Sequence, residues 1–478
     1  MIAILTAPGI CTSEPEIRVA GSKPADLFRT TDLGSGIGVE IDLSEPGRWR
    51  SVTVHRWEQA DLVLLRAVIG PDAVQDLERW RDERNAAGSR RLEAELSVDF
   101  TPARPWLRAA VIDALDWWLQ LPLDQALLDA ERAVVHARAA RSLPAGVLRR
   151  DVADRALVLA RRSAGGFVDY LDGLTGSAES LPRALFSGLS RLVNGYAALG
   201  RRVIDGPDDD LDSVAAAWLR LRAVVPVAAT FRLPDHSVTY QLSDRPLLNT
   251  TPLRSSVDPR QLRARIVDTD VRAQEIRMVR SGESSVRVIV PAFGARQQPA
   301  LLADRLMVRL VDSRSGAAQE PVLLTLRSGR EAERFGAATP VFTEMVPLRG
   351  ASPEYLRADV FDPDSHASPA RSDTDDALLR QRRGQFVLGE WRRAVAESRL
   401  SRGAKVRRRR LTRLLDVLTQ TGPDAGQPAF FGGPTPAEIA QLIDHPGARS
   451  ETRHPWFAST EGAGELLVAE LAAVHANR

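Results

Sequence analysis

Cysteine is almost missing from this chain, with Cys11 standing alone among 478 residues. A single thiol rules out an intrachain disulfide, a multi-cysteine zinc site and an iron–sulfur cluster, and it makes a reducing compartment, the cytoplasm, the expected location. Lysine is nearly as scarce. Of 64 basic residues only Lys23 and Lys405 are lysines, so chemistry that needs an amine has two candidates. Lys23 lies in Gly21-Ser22-Lys23-Pro24, without the glycine spacing or the following Ser/Thr of a phosphate-binding loop, and Lys405 sits between Ala404 and Val406 in a basic run. The usual nucleotide-hydrolysing and kinase signatures are therefore absent. Long apolar runs are missing as well: the best stretch, residues 214–231, is interrupted by Arg220 and Arg222, so membrane insertion is not expected. Residues 1–10 are apolar without a basic lead and do not read as a secretory signal.

What the chain does have is arginine, unevenly placed. Residues 380–413 hold thirteen Arg/Lys and two acids, Glu390 and Glu397, in a protein of net charge +2, which leaves the remainder at about −9. A local field of that size suits phosphate or an acidic partner surface, and equally the solvated face of a long helix or a dock onto the chain's own acidic remainder. Arg392, Arg393, Arg399, Arg402, Lys405, Arg407, Arg408, Arg409, Arg410 and Arg413 are the candidate polyanion- or partner-binding residues. Leu411, Leu414, Leu415 and Leu418 fall along one helical face with Arg409 and Arg413 largely opposite, so the segment reads as an amphipathic helix; were its ligand a nucleic acid, such a row of arginines would follow the backbone without reading bases. Phe386 and Trp391 are the only aromatics near it, sparse for a single-strand binder.

Periodicity divides the chain into a multidomain α+β protein. Residues 1–101 read as a small α+β unit, with a hairpin of Val39, Ile41 and Leu43 against Val52 and Val54, helices near 57–69 and 72–85, and a strand at 94–100. Residues 102–225 are helical. Leu107, Val111, Leu115 and Trp118 form one stripe, Asp124 and Asp212 are expected caps, and Pro182 fits a first turn, giving five helices in an antiparallel bundle. Residues 226–365 turn to short extended segments at 237–242, 262–267, 285–290, 306–311, 322–326, 341–348 and 356–361, which favour an antiparallel β-sandwich-like domain. Residues 366–374 form a linker, and 375–478 a basic helical C-terminal region with a short helix at 435–443, capped by Thr435 and Glu438, and a terminal helix near 464–474.

Other constellations have simpler explanations. Gly34-Ser35-Gly36-Ile37-Gly38 leads into a strand instead of a helix, so it is a turn and not a dinucleotide loop. The acidic runs Asp208, Asp209, Asp210, Asp212 and Asp373, Asp375, Asp376 precede helices, where carboxylates complement unpaired amides. Among seven scattered histidines no pair has helical metal-ligand spacing, and no metal or cofactor is predicted. Trp117, Trp118, Trp391 and Trp456 are candidate interface aromatics; of the adjacent pair one should face the core and the other a neighbouring helix or a partner. A non-enzymatic adaptor, scaffold or regulatory subunit is the expected function, with one or more proteins as partners. The alternatives are a nucleic-acid-associated accessory protein binding DNA or RNA through 380–413, and a hydrolase with a dispersed site, for which Asp235-His236 with Ser237 and Tyr240 is the one compact polar set.

Overall fold

The computed structural model describes residues 2–6, 16–19, 27–34, 36–43, 49–54, 61–87, 93–97, 104–119, 121, 123–176, 181–203, 209–225, 227–228, 253–255, 261–262, 266–267, 276–281, 284–292, 306–312, 314–334, 340–349, 355–362, 375–400, 408, 411–412, 414–416, 419, 436–444 and 466–476. Helices and mainly antiparallel sheets coexist, an α+β composition. Met1–Leu115, Leu123–His236 and Val387–Arg478 make one compact unit, and Asp116–Pro122 with Ser237–Phe386 another.

The first unit opens with strands β1 (Ile2–Thr6), β2 (Glu16–Val19), β3 (Phe28–Gly34), β4 (Ile37–Asp42) and β5 (Trp49–Val54). Two helices follow, α1 (Leu62–Ile69) and α2 (Pro71–Ala87), and then β6 (Glu93–Ser97). The strands form an antiparallel sheet in the order β3-β4-β5-β2-β1-β6. The expected hairpin is present: Val39 lies opposite Val52 and Ile37 opposite Val54, all buried, because residues two apart share a sheet face. Gly36 makes the β3–β4 turn at φ 71°, a left-handed value that glycine adopts without strain. Asp61 caps α1, its Oδ1 accepting from the Val63 amide at 2.8 Å. Gly70 ends that helix at φ 91°, and Pro71, which has no amide hydrogen to leave unpaired, starts the next. The start expected at 57 falls in residues outside the described set, and α1 itself begins at Leu62.

Five helices succeed one another as the periodicity predicts: α3 (Arg104–Trp118), α4 (Gln125–Ser142), α5 (Val147–Gly176), then a short strand β7 (Leu181–Pro182), α6 (Arg183–Val203) and α7 (Asp209–Val224). Strand β8 (Val227–Ala228) pairs parallel with β7. Asp124 caps α4 as expected, Oδ1 accepting from Leu127 at 2.9 Å. Pro182 belongs to β7, so it precedes α6 and does not sit in its first turn. Asp212 lies inside the first turn of α7 beside Asp209 and Asp210, where charge favours the helix without a cap bond. Helix α3 is enclosed on every side, since Trp106, Ala110, Ile112 and Trp117 are buried along with the Leu107, Val111, Leu115 and Trp118 stripe. Between α4 and α6 the approach is close: a Cβ on Gly195 would stand 2.6 Å from Val134 Cγ2. The Tyr196 hydroxyl of α6 hydrogen-bonds Ser163 of α5, and its ring meets Phe167 edge-on at 5.6 Å.

The second unit carries β9 (Leu253–Ser255), β10 (Ile276–Arg280), β11 (Ser285–Pro291), β12 (Met307–Asp312), β13 (Val322–Leu323), β14 (Thr325–Arg327), helix α8 (Arg330–Glu333), β15 (Val341–Pro347) and β16 (Leu356–Phe361). They build two antiparallel sheets, β14-β15-β11-β10-β9 and β13-β12-β16. One apolar cluster draws on both, with Ile276, Val288 and Phe342 from the first and Val308, Leu310 and Val360 from the second. The segment expected as one strand at 322–326 is two: the chain changes sheets at the buried Leu324, whose amide donates to Leu306 at 2.8 Å. Arg309 and Asp359 are direct cross-strand partners, bonded at 2.6 Å. Of the expected strand at 262–267, Leu262 and Ile266 are buried outside any strand and Val267 forms a lone bridge to Ala292. The segment 237–242 lies outside the described residues.

Three helices close the chain: α9 (Asp375–Leu400), which belongs to the first unit from Val387 onward, α10 (Pro436–Asp444) and α11 (Val468–Ala476). Helix α11, which begins later than the sequence suggests, is buried from Val468 to His475 and packs on α4 and α6. Gly188 of α6 leaves room for it, with Val468 Cγ2 only 3.1 Å from where a Cβ would be. Thr435, the expected cap of α10, lies outside the described residues.

Candidate functional site

The basic segment does not present its arginines together. In α9 Leu388, Trp391, Arg392, Val395, Ala396 and Leu400 are buried, a three-and-four spacing that defines one inward face. Arg392 is part of that face. Its side chain is 2% exposed, and its Nε and Nη2 donate to Oε1 and Oε2 of a fully buried Glu470 on α11, each at 2.6 Å. Glu470 Oε2 also accepts from the Leu467 amide at 2.7 Å, the return half of a capping box. Arg392 is therefore removed from the candidate binding set: a guanidinium in a buried two-point pair with a carboxylate cannot serve a polyanion at the surface.

Its neighbours differ. Arg393 is partly buried and stands 3.7 Å from Glu397 one turn on, whereas Arg399 and Arg408 are exposed. Near Arg408, Leu411 and Leu414 of the expected apolar face are buried and Leu415 is half-buried, with Thr412 and Asp416 exposed; Leu418 lies outside the described residues. Arg402, Lys405, Arg407, Arg409, Arg410 and Arg413 lie outside the described residues. Trp117, Trp118 and Trp391 are buried, which corrects their reading as interface aromatics; the enclosure of α3 explains why neither member of the adjacent pair reaches the surface. Trp456 lies outside the described residues, as do Asp235 and His236.

A second group of charges gathers where α11 begins. Glu131 of α4 is buried, and its Oε2 accepts from the Ala469 amide at 3.2 Å, capping a helix from another part of the chain. Arg108 of α3 approaches Glu131 Oε1 only to 4.0 Å. Burial pushes the Glu131 carboxyl up to about 7, against the pull of Arg108 and of the Val468 and Ala469 amides, and the Glu470 charge adds to the rise. Two residues earlier on α4, Asp129 accepts from Arg132 at 2.8 Å, and Arg132 also reaches Asp113 at 2.9 Å. His136 is held below its ordinary value by burial; Asp113 opposes this, and Arg132 and Arg155 add to it. Burial likewise raises Asp124 and Tyr196.

Among the described residues no cluster of three or more His, Cys, Asp or Glu is placed to hold a metal ion. Asp209, Asp210 and Asp212 occupy the first turn of α7, and Asp375 and Asp376 the first positions of α9. Among the described residues no helix is long and apolar enough to cross a membrane. The buried pair escaped a motif search, although two signals marked it. Glu470 is the one acid within the apolar run 466–474, and Arg392 interrupts the stripe between Leu388 and Val395.

The surface of α7 adds a different feature. Trp218 is buried, but Leu219 next to it is 63% exposed. Ala216, Leu219 and Ala223 form an outward line at spacings of three and four, with Val224 exposed beside it. No protein-family model, curated protein or solved structure matches this chain.

Proposed function

We propose that this protein is a non-enzymatic adaptor or regulatory subunit of a cytoplasmic complex, joined to a protein partner through α7. The observation that carries this reading is the outward apolar line of Ala216, Leu219 and Ala223, flanked by the exposed Arg220 and Arg222. A helix that could turn such a line inward and instead leaves it in water has the pattern of a helix-docking surface. Four of the five displaced titratable groups are consistent with it. Asp124 and Glu131 cap helices, Tyr196 pairs with Ser163, and Asp312 closes a turn by accepting from the Arg314 and Ser315 amides, so each has a structural task. In this reading the second unit is a β-sandwich-like domain, and the segment beyond α9 is a basic helical arm.

A second reading rests on Arg399 and Arg408, which face solvent while Leu411 and Leu414 are covered. Such a face suits nucleic acid through its phosphates, with a salt dependence set by the number of contacts. The two separate in one experiment: capture of the intact protein from its own cells, with and without nuclease, in parallel with Leu219→Glu. A protein partner that survives nuclease and is lost from the folded Leu219→Glu variant supports the adaptor. Retention of that partner by the variant overturns α7 as the docking face. Nuclease-sensitive partners, weakened by Arg399→Gln with Arg408→Gln, establish the nucleic-acid reading in its place.

A further inference from the structure

The junction of α3, α4, α9 and α11 brings together two carboxylates and two guanidiniums at the start of one buried helix, and they are not equally matched. Glu470 has Arg392 at two points and the Leu467 amide besides. Glu131 has the amides of Val468 and Ala469 and a guanidinium no nearer than 4.0 Å. When both acids are ionised, the second negative charge is compensated mainly by the amides of a single helix end, in a buried place where screening is weak. A proton on Glu131 removes that excess while its carbonyl oxygen still accepts from Ala469.

We infer that α11 is a proton-sensitive clasp on the helical unit, seated more firmly when Glu131 is protonated and loosened when it is ionised. The groups that act on Glu131 come from each element around it. Arg108 faces it from α3 and Glu470 from α11, with Arg392 of α9 behind Glu470. Within α4 itself Arg132 is engaged by Asp113 and Asp129. Helix α6 meets α11 at Gly188, and its Arg183 and Arg191 are exposed. His475 lies in the last turn of α11, at the opposite end from Glu131.

The direction follows from linkage. A released α11 returns Glu131 toward its ordinary value near 4.5, whereas the seated helix holds it at about 7, so the seated state binds more protons between those limits. Seating is therefore strongest below this window and weakens as pH rises through it. Across the whole window the equilibrium between seated and released α11 changes by roughly a hundredfold or more.

Hydrogen exchange of the full chain, read at the amides of α11 and corrected for intrinsic rates, tests this between about pH 5 and about pH 8. Protection of α11 is expected to fall as pH rises. Glu131→Gln keeps a neutral acceptor for Ala469 and should hold protection high and flat across the range. Arg108→Gln, which removes the attraction favouring the ionised form, should move the midpoint to higher pH. Protection that does not vary with pH in the parent protein, an unchanged slope in Glu131→Gln, or a midpoint unmoved in Arg108→Gln would each overturn the clasp.

Discussion

At the scale of single residues, the burial of charge is what distinguishes this protein. Arg392 and Glu470 sit where leucines would be expected, and such a pair is costly to break because the survivor stays buried and unpaired. Arg392→Met should cost about 3–5 kcal/mol in denaturant unfolding, whereas Arg392→Met combined with Glu470→Gln should recover most of it, the glutamine still accepting from Leu467. A double mutant as unstable as the single one would show that packing and not charge sets the cost. Glu131 makes a separable contribution. Its raised carboxyl means that the folded chain binds more protons than the unfolded chain between 4.5 and about 7, so global stability declines with rising pH there by about 3 kcal/mol. Unfolding midpoints of Glu131→Gln measured across that range should lack this decline. Both acids were countable in the sequence, but the partner of each was not, because Glu131 and the amide that it caps are 338 residues apart.

At the scale of elements, local chemistry and close approach act together. The cap at Asp124, the stop at Gly70 and the β4–β5 hairpin were legible because each depends on residues within a few positions of one another, whereas the cap at Asp61 was not, since the apolar pattern extends the helix back to 57. The facing of the helices was less so. Both rings of the Trp117–Trp118 pair are buried because α3 is surrounded, whereas Leu219, next to the buried Trp218, is exposed because α7 leaves an apolar line uncovered. Glycines separate the two kinds of information. Gly165 has nothing within 4 Å of a Cβ, so Gly165→Ala should stabilise by about 0.4–1 kcal/mol through the unfolded chain. Gly195→Ala places a methyl 2.6 Å from Val134 and should destabilise by about 1–3 kcal/mol, with partial recovery when Val134→Ala makes room. Thermal or denaturant midpoints of the three variants check this. A gain in stability from Gly195→Ala alone would contradict the close approach of α4 and α6.

At the scale of the molecule, the first unit is assembled from both ends of the chain. Helix α11 closes against α4 and α6 and supplies the carboxylate for Arg392, so it is a structural member of the helical unit. Removing residues 466–478 should lower the stability of that unit by at least about 3 kcal/mol, since it strips Arg392 of Glu470 and uncovers apolar surface. Hydrogen exchange should show protection lost in α4 and α6 and retained in β11 and β15. Unchanged protection in α4 and α6 would mean that α11 adds nothing to the helical unit.

The sequence by itself determined the composition of the protein: five consecutive helices, a following run of short antiparallel strands and a basic C-terminal segment. Its repeat of apolar residues dictates which local conformation can bury them, and its single cysteine removes whole classes of chemistry. Tertiary structure alone decided what the charges are for. Whether an arginine meets water, a phosphate or a buried carboxylate depends on what the chain brings to it from far away. Arg392 and Arg399, seven residues apart on one helix, were assigned opposite environments by packing alone.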